Sequence, residues 1–202
     1  VHLANNEEFL LPYDRLVLAT GSEPVVPPLE GIGLKGVHHL NRPEDALRIM
    51  EELGDTEEAV VIGAGMIGME VADALVRRKI FVSLVELKDQ VLPGMLDPDL
   101  AALLKARLEE AGVEFYLGEK VVRLEGNEEG RVARVVTDRH VLNAGLVIIA
   151  VGVRPNVALA KDAGLAIGET GGILVNEYLQ TSDPDIYALG DCVENTHLVS
   201  GR

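Results

Sequence analysis

The hexapeptide Gly63-Ala64-Gly65-Met66-Ile67-Gly68 carries the clearest chemical meaning in this 202-residue sequence. Its G-x-G-x-x-G spacing permits a tight turn, a close approach of backbone to a pyrophosphate, and tight packing of a helix on a strand. The open N–H groups and dipole of the helix that follows favour an anion, by roughly 0.3–1 kcal/mol at an exposed end. Alone, such a hexapeptide is also an ordinary glycine turn. Here it follows the apolar run "AVVI" and precedes a helical stretch with small Ala72 one turn in. Glu86 ends the next apolar run, "FVSLVE", 23 residues beyond Gly63. Strand, turn, helix, strand and terminal acid together point to a dinucleotide.

Glu86 bears on which one. Its carboxylate can accept hydrogen bonds from ribose hydroxyls. A 2′-phosphate there would face it as a like charge, costing on the order of 4 kcal/mol per charge pair at 4 Å and an effective dielectric of 20. That favours NAD over NADP, although Lys88 softens the bias. FAD sites of this type also end the strand with Glu, so the turn by itself leaves NAD and FAD open.

The elements around the turn read as follows. "RLVLAT", Arg15 to Thr20, is a short strand ended by Gly21, and "GSEPVVPPLEGIG" has the Pro and Gly content of a linker. Pro43 opens the helix "PEDALRIMEEL", with Asn41 as its candidate cap. After "AVVIG", a helix to about Arg78 and "FVSLVE" comes the helix "PDLAALLKARLEEAG", with Asp97 as N-cap and Gly112 as its stop. Leu100, Leu103, Leu104 and Leu108 form its apolar stripe. The strand "VEFYLG" completes a β-α-β-α-β alternation, which implies a parallel sheet. "KVVRLEG", "RVARVVTD" and "HVLNAG" read as a small antiparallel meander, and the all-apolar "LVIIAVG" returns to the parallel sheet. A short helix near 157–163 and strands at "GILV" and "IYALG" follow.

Composition bounds the function. A net charge of −15 opposes a nucleic-acid partner, and no run of about 18 apolar residues suggests a membrane span. The single cysteine, Cys192, excludes an internal disulfide and a four-ligand cysteine site, so a reduced cytoplasmic setting and no metal are expected. His38, His39, His140 and His197 have no partner at ligand or triad spacing and read as structural or solvated. The chain opens without Met or a signal-peptide pattern and closes on "HLVSGR", which suggests a piece of a longer protein.

Two flanking stretches supply further context. "YDRLVLATGSEPVVPPLEG", with Ala19-Thr20-Gly21, and "TSDPDIYALGDC", with Gly190-Asp191, resemble signatures of the FAD-dependent pyridine nucleotide-disulfide oxidoreductase superfamily. "GVRPN", Gly152 to Asn156, matches as well, and the resemblance covers nearly the whole chain. It implies an NAD domain inserted into an FAD domain, the Ala-Thr-Gly strand leaving the flavin domain and the Gly-Asp pair returning to it. It also implies that the turn at Gly63 holds NAD(H), and that Asp191 accepts hydrogen bonds from the ribityl chain of FAD; the bland alternative is a solvated turn Asp. In relatives a Glu at the place of Glu70 approaches the nicotinamide and the flavin; its alternative role is to complement the helix N-terminus. Met66 stands where Tyr often lies over the flavin. Cys192 reads as a small packed residue, not a redox cysteine.

The resulting expectation is an α/β protein. It has a Rossmann-like parallel sheet with an antiparallel β-meander, inserted between partial FAD-domain segments. Residues 1–36 and 154–202 are assigned to the flavin side and 37–153 to the NAD side. "HLNRPEDA" and "GDCVE" resemble the branch with NADH oxidases, coenzyme A-disulfide reductases and NADH:rubredoxin reductases. The candidate binding residues are Thr20, Gly21, Gly63, Gly65, Met66, Ile67, Gly68, Glu70, Glu86, Gly152, Gly190 and Asp191. No side chain is assigned as a catalytic acid or base. The parent is expected to pass hydride from NADH to FAD and on to a disulfide, oxygen or a protein, and to be a homo-oligomer. The alternative is a non-catalytic NAD(H)-sensing module.

Overall fold

The computed structural model describes residues 10–54, 56–196 and 199, so His197 lies outside the described residues. The chain forms two compact units, one from Val1–Glu23 with Val153–Arg202 and one from Pro24–Gly152. The strands begin with β1 (Leu16–Leu18), β2 (Ser22–Pro24) and β3 (Val37–His39). Then come helix α1 (Pro43–Leu53), β4 (Glu58–Ile62), α2 (Met66–Val76), β5 (Phe81–Glu86), α3 (Pro98–Ala111) and β6 (Val113–Leu117). The meander is β7 (Val121–Gly126), β8 (Val132–Thr137) and β9 (Val141–Asn143), followed by β10 (Leu146–Ile149). The remainder is β11 (Val153–Pro155), α4 (Ala158–Asp162), β12 (Ile173–Leu174), β13 (Ile186–Ala188) and β14 (Val193–Glu194).

The central unit is built on a five-stranded parallel sheet in the order β3-β10-β4-β5-β6. Alternate residues of each strand enter different cores. Ala59, Val61, Val82, Leu84, Leu146 and Ile148 pack with Ile49, Met69, Ala72, Leu75, Ala101 and Leu108 of the three helices. Val60, Ile62, Val85, Val147 and Ile149 pack with Val121, Leu124, Val132, Val135 and Leu142 of the antiparallel meander. Both sheet faces are therefore covered, which is why "AVVI" and "LVII" are apolar throughout instead of alternating. The other unit has its own core of Leu18, Val157, Ala160, Ile173, Ile186, Ala188 and Cys192. It contains the parallel pair β1–β13, the pair β12–β14 and the two-stranded ladder β2–β11.

Several local expectations change. The stretch with linker composition is packed: Leu29 and Ile32 lie against the meander core, as does Leu34 just beyond it, and Leu124 N–H donates to Glu30 O. His38 and His39 sit on β3, the edge strand, paired with Ile148 and Ile149 of β10. His38 Nε2 lies 3.2 Å from Glu52 Oε2. Helix α1 is capped one residue later than Asn41, with Arg42 in the capping position. Asp45 Oδ2 accepts from the N–H groups of both Arg42 (2.9 Å) and Asn41 (3.1 Å), satisfying donors that a helix start leaves open.

The stripe on α3 is also rotated. Ala101 and Leu108 are buried and Leu104 is half-buried, whereas Leu100 and Leu103 are 50% and 69% exposed. Small Ala101 sits where the helix packs most closely, so the face turns toward 101, 104 and 108. Asp97 is the N-cap residue but makes no side-chain cap bond; Gly112 ends the helix in the left-handed region at φ 110°.

His140 takes a structural role, paired with a carboxylate distant in sequence. Its Nδ1 lies 2.9 Å from Glu119 Oε1, and Thr137 Oγ1 donates to Glu119 Oε2 at 2.7 Å. Glu119 is only 5% exposed. Burial pushes its carboxyl up. The hydrogen bonds from His140 and Thr137, with the positive field of His140 and Arg139, more than offset this and leave it below the usual range. A carboxyl depressed on folding adds stability above its unfolded value, about 4.3, and that stability is lost as pH falls through the lower folded value. The stability gap between wild type and Glu119→Gln, followed by urea unfolding, is therefore expected to be widest near pH 7 and to close below about pH 4.

Candidate functional site

At the carboxyl end of β4 the chain turns through Gly63, Ala64 and Gly65 into α2. Each glycine of the turn has a different environment. Gly63 has φ +106°, and a Cβ on it would stand 2.4 Å from Ala150 O. A Cβ on Gly68 would stand 1.9 Å from Gly63 O, so the first turn of α2 rests directly on the strand end. Gly65 has φ −74° and nothing within 4 Å of its Cβ position. The protein fills the space beside Gly63 and Gly68 and leaves it open beside Gly65. That is where a glycine permits approach by a group from outside.

Helix geometry leaves the N–H groups of Met66, Ile67 and Gly68 outside the α2 ladder, the first ladder bond being Met69 N–H to Gly65 O at 3.0 Å. Met66 is 58% exposed and Ile67 also reaches solvent, while Gly68 is buried. No acid occupies this first turn until Glu70, which is exposed on the following residues of the helix. The turn therefore stands at the positive end of a helix dipole, with no acid in the first turn of the helix.

Glu86 closes the other side. Ala64 N–H donates to Glu86 Oε2 at 2.7 Å, and Lys88 N–H donates to Oε1 at 2.8 Å. The terminal acid of β5 is thus held at the glycine turn. Gly152 follows β10 on the same edge of the sheet, at φ +109° with open space at its Cβ position. The residues present fit an adenine dinucleotide: a turn a Cβ would obstruct, open helix donors, and a fixed carboxylate.

In the other unit the structure gathers a second set of candidates. Thr20 Oγ1 donates to Asn156 O at 2.6 Å, and Asn156 N–H donates to Gly21 O at 2.9 Å. Ser22 Oγ donates to Asp191 Oδ2 at 3.0 Å. Thr20, Gly21, Gly190 and Asp191 therefore lie at neighbouring carboxyl ends of β1 and β13. Cys192 is fully buried, with its sulfur 3.2 Å from Leu189 O, in keeping with a packed residue. Sequence reasoning missed Asn156 as a partner of Thr20 and Ser22 as a partner of Asp191. Their separations of 136 and 169 residues left no local signal.

A cavity of about 660 Å³ lies away from the glycine turn, at the amino end of β4. Glu51, Glu52, Glu57, Glu58 and Arg131 line it, and four acids against one cation make it a poor place for a phosphate. Among the described residues, no helix is long and apolar enough to cross a membrane.

A parallel sheet with a glycine turn at its carboxyl edge and an antiparallel meander on one face is the α/β architecture of flavoprotein reductases. The chain belongs to the pyridine nucleotide-disulphide oxidoreductase family, whose model matches residues 1–201. It is 44% identical over 201 residues to an NADH oxidase of Methanocaldococcus jannaschii, covering 98% of this chain and 44% of that protein. It is 41% identical over 200 residues to an NAD(P)H coenzyme A polysulfide/persulfide reductase of Pyrococcus horikoshii, covering 98% of this chain and 44% of that protein. A solved FAD-dependent pyridine nucleotide-disulphide oxidoreductase from Desulfovibrio vulgaris matches with TM-score 0.90 and 45% identity, over 99% of this chain and 51% of the other. The structure of an NAD-dependent persulfide reductase from A. fulgidus matches with TM-score 0.91 and 46% identity, over 95% and 36%. The chain thus spans about half or less of the length of these relatives.

The unequal glycine environments give a direct test. Gly68→Ala forces α2 off the strand and is expected to cost about 1–3 kcal/mol or more, as overpacking does. Gly65→Ala meets no atom and is expected to cost about 1 kcal/mol or less, the scale of an N-cap change. Urea unfolding of both variants, followed by circular dichroism, checks the order.

Proposed function

We propose that the 24–152 unit binds NADH and that the chain is the NADH-handling portion of an FAD-dependent oxidoreductase, the other unit supplying part of the flavin site. The observation that carries this reading is the open space at Gly65, beneath the free N–H groups of Met66 and Ile67 and beside the fixed carboxylate of Glu86. A pyrophosphate fits the first of these and ribose hydroxyls fit the second. A 2′-phosphate would meet the negative charge of Glu86, so NADH is preferred to NADPH.

In this role the chain's task is positional. Gly63–Gly68 and the N–H groups of α2 hold the diphosphate, and Glu86 orients the adenosine half, so that the reduced nicotinamide is presented at a fixed place. Exposed Glu70, one turn into α2, belongs to the nicotinamide side, and Gly152 leaves room at the sheet edge for the same nucleotide. Thr20, Gly21, Gly190 and Asp191 form the flavin-side group, with Asp191 offering a carboxylate to ribityl hydroxyls. When bound, FAD supplies the hydride-accepting ring. The chemistry needs no side-chain acid or base for the transfer. The onward acceptor is a disulfide, oxygen or a protein; the family resemblance to NADH oxidases and to coenzyme A persulfide reductases supports the first two.

The test is a fluorescence titration of the purified chain with NADH and NADPH, with flavin content measured beforehand. Saturable NADH binding is expected, weaker NADPH binding, and little retained FAD. Gly65→Ala is expected to lower NADH affinity by about tenfold or more, equal to roughly 1.4 kcal/mol, while leaving the fold intact. Stoichiometric FAD with no NADH binding would overturn the assignment of the 24–152 unit.

A further inference from the structure

The hydrogen bonds of Glu86 are more than a ligand-facing arrangement. Its two carboxylate oxygens are each engaged by a backbone donor, Ala64 N–H from the glycine turn and Lys88 N–H from the loop after β5. Ala64 is fully buried, so water cannot replace the carboxylate as acceptor for its N–H. The same two loops meet again in the opposite sense, Leu92 N–H donating to Ala64 O at 2.8 Å. The backbone of Glu86 and Lys88 is itself anchored from the end of β6, by Glu119 N–H to Glu86 O at 3.0 Å and Gly118 N–H to Lys88 O at 2.8 Å. Gly63 N–H completes the set by donating to Val85 O at 2.8 Å. Among the described residues, the side chain that fastens the turn between Gly63 and Gly65 is Glu86.

We propose that Glu86 is a positioning residue: its carboxylate fastens the Ala64 N–H and so holds the glycine turn in its anion-accepting shape before any nucleotide arrives. This rests on the dinucleotide reading of that turn. Each carboxylate oxygen keeps a further lone pair, so fastening the turn and accepting a ribose hydroxyl are compatible. The consequence separates this role from simple discrimination between cofactors. If Glu86 acted only by contacting the ribose and repelling a 2′-phosphate, removing it would weaken NADH and strengthen NADPH. A fastened turn adds a loss that both nucleotides share, because both use the same pyrophosphate seat, and it loosens the Ala64 amide before either is bound.

The test uses the full 202-residue chain as wild type, Glu86→Ala and Glu86→Gln. Amide hydrogen exchange is read by NMR without nucleotide, followed by NADH and NADPH titrations. In Glu86→Ala the Ala64 amide is expected to exchange roughly tenfold faster or more, as a buried donor that loses its acceptor does. The amides of β4 and β10 are expected to keep their wild-type rates. Glu86→Gln, which keeps one acceptor oxygen without the charge, is expected to fall between the two. NADH affinity is expected to drop in Glu86→Ala. An unchanged Ala64 rate, or uniform acceleration across β4 and β10, would overturn the positioning role. So would unchanged NADH affinity in Glu86→Ala. If the wild type binds neither nucleotide, the dinucleotide reading fails and the positioning of a nucleotide seat fails with it. Selective loss of Ala64 protection would then still establish the fastening itself.

Discussion

The backbone of Gly63 touches two other backbones at distances no side chain would allow. Its carbonyl oxygen stands where a Cβ of Gly68 would be, and Ala150 O stands where its own Cβ would be. This contact sets the start of α2 against the ends of β4 and β10. From it follow the direction of the free N–H groups of Met66 and Ile67 and the position of the open side of Gly65. It also places the turn within reach of Glu86, which lies one strand over. Dinucleotide turns need glycine in several places for unlike reasons, and here the reasons separate cleanly. Two glycines serve the protein's own packing. The third serves whatever sits above it.

That contact is held in place by a sheet buried on both faces. Val61, Leu84 and Ile148 face the helices while Val60, Val85 and Val147 face the meander. An apolar slab of this kind has no room for charge except at the strand ends. The groups with chemical character accordingly stand there, Glu86 at the end of β5 and Gly152 beyond the end of β10. The meander is tied to the same edge through Glu119, which receives Thr137 and His140 by its side chain and bonds Glu86 O by its N–H. The relatives named as NADH oxidase and as NAD(P)H coenzyme A polysulfide/persulfide reductase share this stretch at 44% and 41% identity.

What could be read from the sequence was what is local. Strand, glycine turn and helix occupy one continuous stretch, so 58–76 was legible, as was β5 down to its terminal Glu86. The meander was legible because its period shortens to two and "GNEEG" marks a turn. What failed was set by distant partners. β3 is three residues with two histidines, and only its pairing with β10, more than a hundred residues away, makes it a strand. Leu29 and Ile32 looked like linker because Pro and Gly surround them, yet the meander gives them a surface to pack on. The α3 stripe was drawn from leucines alone, and Ala101 took the buried place instead. Glu119 and His140 lie 21 residues apart, and no spacing rule foretells that pairing. The binding candidates at Gly63–Gly68 and Glu86 do come together, and so do Thr20, Gly21, Gly190 and Asp191 in the other unit.

A nucleotide-sensing module would use the same turn, so the central claim concerns the seat and not the turnover: an NADH diphosphate rests on the first turn of α2. Backbone amide chemical shifts recorded during addition of NADH test it most directly. The account predicts the largest, saturable changes at Gly65, Met66, Ile67 and Gly68, with smaller ones beside Glu86. Saturable changes confined to the acidic cavity around Glu51, Glu58 and Arg131, with the amides of the turn unmoved, would contradict it.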